Sequence, residues 1–158
     1  MPSSVNAESL KERTKQFAIH AIRLCRALPK SSESTIISRQ LMRSATSVGA
    51  NYRAVCRARS TADFVSKLGV VLEEADESLF WIDLLVDTGI TNAERIRALR
   101  IEANELVAIF VASLRTAKHS TKSEICNLQS EICNLQSEIC YFALTLASPS
   151  LSSCRLLR

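Results

Sequence analysis

Four stretches of this chain place apolar residues at alternating spacings of three and four, which leaves room for little besides amphipathic helices. The first, from about Asn6 to Leu28, aligns Leu10, Phe17, Ala21, Leu24 and Leu28, with Thr14 as its polar interruption. Pro29 ends it, because proline has no N–H to donate and turns the residue before it away from helix. The second, from about Ser32 to Arg57, carries Ile37, Leu41, Ser44, Val48 and Val55. The third begins after Ser60-Thr61, whose hydroxyls suit a helix start, and aligns Phe64, Leu68, Val71, Ala75, Leu79, Ile82 and Leu85. Thr88-Gly89 closes it. The fourth opens with Thr91 and Glu94 at capping-box spacing and aligns Ile96, Leu99, Ala103, Leu106, Phe110, Ser113 and Ala117.

Each stretch is about 25 residues, roughly 37 Å of helix. Equal lengths and short connections favour antiparallel neighbours. With only 3 Gly, 3 Pro and 5% aromatics, a turn-rich β architecture is excluded. The expected fold is all-α: an antiparallel up-down four-helix bundle over residues 1–118. No apolar run reaches the ~20 residues of a membrane span. Residues 1–16 are polar and charged, without the apolar core of a signal peptide. A cytoplasmic protein with free thiols is therefore expected.

Residues 119–158 form a distinct tail. SEICNLQ occurs at 123–129 and again at 130–136, followed by SEIC at 137–140. Ile125, Leu128, Ile132, Leu135 and Ile139 keep a heptad register, while an identical seven-residue repeat also fits an in-frame duplication of the gene. A poorly ordered tail is the first expectation, a short oligomerising helix the second.

Charge is segregated. Residues 1–60 carry eleven Lys and Arg against three Glu, or +8; residues 61–118 carry six basic and ten acidic, or −4. Arg39, Arg43, Arg53 and Arg57 fall within a sector of about 80° on the second helix. Arginine forks suit phosphate and carboxylate alike, so two readings stay open. One is a nucleic-acid backbone surface. The other is a face that pairs with Glu73, Glu74, Asp76 and Glu77, within the subunit or in another. The run from Ser44 to Asn51 is rich in small residues, and Gly49 inside a helix costs about 1 kcal/mol relative to alanine. Ser47, Gly49 and Asn51 are thus candidates for close helix packing or a subunit contact, with Asn51 able to hydrogen-bond across it.

Catalytic and metal-binding patterns are missing. His20 and His119 form no Glu-x-x-His pair, and no phosphate loop or nucleophile elbow occurs. The six cysteines are not in metal-site pairs. Glu73, Glu74 and Glu77 make only a distant case for a metal enzyme. The expectation is a non-catalytic protein with no cofactor and no small-molecule substrate.

The segment 40–85, QLMRSATSVGANYRAVCRARSTADFVSKLGVVLEEADESLFWIDLL, resembles the small bacterial four-helix bundle proteins encoded in intervening sequences of large-subunit ribosomal RNA genes. The most specific part is Arg43-Ser44 through Ser47-Val48-Gly49-Ala50-Asn51, followed by Arg57, Phe64, Glu73 and Trp81. The resemblance extends through 103–118 and leaves out the tail. That family is similar to the accessory variability determinant of diversity-generating retroelements, a basic homopentamer that binds a reverse transcriptase and nucleic acid. The resemblance thus implies a non-catalytic homopentamer, with RNA or a nucleic-acid enzyme as partner. The alternative is a structural scaffold whose charged faces complete the homopentamer.

Overall fold

A computed structural model describes the backbone of residues 4–146 and the side chains of residues 7–119. It contains four helices: α1 (Ser4–Arg26), α2 (Ser32–Val55), α3 (Thr61–Asp87) and α4 (Ala93–Leu146). Among the described residues there is no strand. The chain divides into two units, residues 1–118 and residues 119–158.

The helix starts are set by side chains that satisfy orphan backbone donors. Ser31 Oγ accepts from the Ser34 amide at 3.1 Å, and Ser60 Oγ from the Asp63 amide at 3.1 Å. At α4 the expected Thr91–Glu94 box does not form. Asn92 Oδ1 accepts from the Arg95 amide at 2.9 Å, while the Thr91 amide turns back to the Leu85 carbonyl. Asparagine, one residue later, places its acceptor where the first helical turn needs it. Gly89 ends α3 at φ 70°, a conformation that costs other residues a steric penalty. Helix α2 stops at Val55 with Cys56 as its cap, so Arg57 lies in the following turn.

The core is the predicted seam. Phe17, Leu41, Val48, Leu68, Ile82, Leu85, Ile96, Leu106 and Phe110 are all but fully buried. Tyr52, absent from the predicted stripe, joins them, its ring 5.8 Å from that of Phe110. Leu114 is buried near the end of the α4 stripe, where Ser113 was expected and is only half-buried. Antiparallel order is visible in the contacts. Gly49 faces Thr14, and Cys25 Sγ donates to the Ser38 carbonyl, so moving up α1 means moving down α2. On the far side of α2, Ser78 Oγ donates to Ser44 Oγ at 2.9 Å. A buried hydroxyl pair of this kind contributes about 1 kcal/mol net. It would cost more if only one partner remained.

Past Lys118, α4 continues to Leu146, so the SEICNLQ repeats are helical. Residues 147–158, with Cys154, lie outside the described residues.

The small-residue run is explained in part. A Cβ on Gly49 would lie 3.4 Å from the Thr14 carbonyl oxygen and 3.8 Å from the Lys15 amide nitrogen. The glycine therefore marks where α2 crosses α1 within the bundle. Ser47 and Asn51 are half-buried, and the hydrogen bond expected from Asn51 is not made among the described residues. Because a methyl group just fits, Gly49→Ala should leave the melting temperature unchanged or raise it by a few degrees. Gly49→Leu should lower it by about 10 °C, since overpacking costs about 1–3 kcal/mol. Thermal unfolding followed by circular dichroism distinguishes the two.

Candidate nucleic-acid interface on the second helix

Helix α2 presents its apolar stripe to the core, which forces its arginines outward. Arg39, Arg43, Arg53 and Arg57 are all exposed. Their surroundings differ.

Arg43 is engaged within the subunit. Its Nη2 donates to both oxygens of Glu77, at 2.5 and 2.7 Å, and its Nη1 lies 3.9 Å from Glu74. Glu77 also accepts from the Trp81 indole N–H at 3.0 Å, one helical turn on. Trp81 in turn meets the Phe80 ring edge to face, with centroids 4.9 Å apart. This is the pairing with acidic helix three that the sequence left open, and it occurs inside one chain. A second bridge closes the opposite seam, where Arg13 of α1 forks onto Glu102 at 2.6 and 2.9 Å and also reaches Glu105. The basic and acidic hairpins are thus joined at both seams.

Arg39, Arg53 and Arg57 have no carboxylate within ion-pair distance among the described residues. Arg39 also borders an open groove of about 490 Å³ at the α1–α2 turn, together with Arg26 and Lys30, and no carboxylate lines it. Arg26 and Lys30 escaped the sequence reading because they lie outside α2. Only the packing of α1 against it brings them to the same groove.

The acidic residues do not converge on a metal. Glu73 is exposed, Glu77 is spent on Arg43 and Trp81, and no cluster of three His, Cys, Asp or Glu occurs among the described residues. Glu74 has one buried oxygen without a hydrogen bond. Burial pushes its carboxyl up, against the pull of Arg43. The indole of Trp81 and the guanidinium of Arg43 hold the Glu77 carboxyl below its ordinary 4.5. No described helix is long and apolar enough to cross a membrane.

Comparison with known proteins places this bundle. The profile of the 23S rRNA-intervening sequence protein family matches residues 9–112, from the first turns of α1 into α4. The chain belongs to this family. The intervening-sequence match contains the whole arginine face and the Gly49 crossing, and it stops short of the SEICNLQ repeats. A solved protein of unknown function from the S23 ribosomal protein family of Bacteroides thetaiotaomicron is 31% identical, with a TM-score of 0.61. The similarity covers 66% of this chain and 96% of that one. No curated protein matches. Kinship with the retroelement determinant rests on the sequence resemblance alone.

The two carboxyls predict opposite responses to pH. Glu77 titrates lower in the fold than in the unfolded chain, so its charge stabilises the bundle above about pH 4.5 and that contribution fades as pH falls through the folded value. Glu74 titrates higher in the fold, so its ionisation penalises the bundle above the folded value, and the penalty vanishes in acid. Glu77→Gln should therefore destabilise at pH 7 and shallow the acid-side decline. Glu74→Gln should stabilise at pH 7 and lose that benefit near pH 4. Urea midpoints from Trp81 emission across pH 3–8 test both.

Proposed function

We propose that this chain is a non-catalytic binding module that grips the sugar–phosphate backbone of structured RNA through the exposed face of α2. The observation that carries this reading is the set of exposed arginines without carboxylate partners among the described residues: Arg39, which shares a groove with Arg26 and Lys30, and Arg53 and Arg57 toward the other end of α2. Cations held apart from any carboxylate are free to displace counterions from phosphate, the step that drives non-specific nucleic-acid binding. The few aromatics of the chain argue for backbone contact over base stacking. Membership of a family named for ribosomal RNA intervening sequences makes structured ribosomal RNA the first ligand to try.

A second reading has an observation of its own. Helix α3 exposes Phe80 at 55% and, about three turns earlier, Val70 at 44%, and a Cβ on Gly69 next to Val70 would meet nothing within 4 Å. Such a face suits a subunit contact in a homo-oligomeric scaffold, whose partner would then be protein.

Arg43 is a poor probe for either reading, because reversing it breaks the intrachain bond to Glu77. Arg53→Glu with Arg57→Glu is the cleaner test. The pair should weaken binding to ribosomal RNA fragments and reduce the log–log salt slope by about 1 per arginine, measured by fluorescence anisotropy. Binding that ignores both salt and the substitutions sinks the RNA reading. Phe80→Glu should shift the light-scattering mass to monomer if α3 joins subunits; an unchanged mass removes that role from the face.

A further inference from the structure

The heptad pattern extends further than the SEICNLQ repeats themselves. Laid on α4 with Ile125 at position a, the register reads Ile125, Leu128, Ile132, Leu135, Ile139, Phe142 and Leu146 at successive a and d sites. The helix ends at Leu146, on the last of these sites. Three full heptads, about 33 Å of helix, therefore carry one unbroken apolar stripe. None of this segment lies within the matched family region, so bundle packing common to that family does not account for the pattern.

We propose that this segment pairs with the same segment of a second copy of the chain, as a parallel two-stranded coiled coil in register from Ile125 to Leu146. Two features select that occupant. The first two heptads pair isoleucine at a with leucine at d, the arrangement that favours two parallel strands, and the third carries Ile139 at a with Phe142 at d. The flanking charges choose the direction. Glu124, Glu131 and Glu138 fall at g, while Gln129 and Gln136 fall at e. In a parallel pair each g residue meets the following e residue of the other strand, so Glu124 faces Gln129, Glu131 faces Gln136 and Glu138 faces Ala143. In an antiparallel pair g meets g, and glutamates would face each other. Cys126, Cys133 and Cys140 fall at b, outside the a and d register.

The pairing is independent of the RNA reading and of any contact made by α3, so its test reads the tail directly. In the full-length chain with all six cysteines replaced by serine, Leu135→Cys places a thiol at a seam position and Ser130→Cys places one at f. Mild oxidation should yield about tenfold more disulfide-linked dimer from Leu135→Cys than from Ser130→Cys. Adding Leu128→Glu to the Leu135→Cys chain should abolish the link. Emission of Trp81, which packs against the bundle core, confirms in each case that the bundle is folded. Equal linkage at the two positions, or none at Leu135→Cys in a folded chain, would overturn the proposal.

Discussion

Everything in the bundle rests on one apolar seam shared by four helices, each polar on its outer side. Burial of that seam is non-directional and fixes which face of every helix points inward. Directional interactions then choose among the packings that remain. The Gly49 crossing sets how closely α2 approaches α1, and the Ser44–Ser78 bond sets its position along α3. With α2 held on both sides, its arginines have no direction left but outward.

The charge asymmetry of the chain acquires a physical role in this frame. A hairpin of +8 would repel itself if left alone, and a hairpin of −4 laid alongside offsets part of that repulsion. The offset is delivered at two places, Arg13 with Glu102 and Glu105, and Arg43 with Glu77. These pairs are partly exposed, so their contribution to stability is modest and screened by salt. Their larger effect is on what remains: acidic partners are committed at the seams, and the arginines away from them stay available.

Helix existence, order and seam were legible in the sequence because period is a global signal carried by many residues at once. Details that depend on one residue were not. The cap of α4 moved from Thr91 to Asn92, a difference of one position between two residue types that both cap well. The buried Tyr52 was missed because a phenol reads as amphipathic, while here its ring lies against Phe110. At the candidate site, the sequence placed four arginines on one face but could not tell that Arg43 differs from the rest. That distinction depends on how far Glu77 sits along α3, which only the packing of α3 on α2 decides. The groove with Arg26 and Lys30 was hidden for the same reason.

The repeat in α4 has a geometric consequence for how such a chain can change. Seven residues make almost two helical turns, so copying one unit of SEICNLQ adds about 10 Å of helix while rotating the stripe by only ~20°. The helix can therefore be lengthened or shortened in whole units without turning its apolar edge to a new direction. A unit of six or eight residues would swing that edge by about a quarter turn or more. The length of the repeat segment of α4 is thus a quantity that a slip in copying the gene can adjust in steps of one unit.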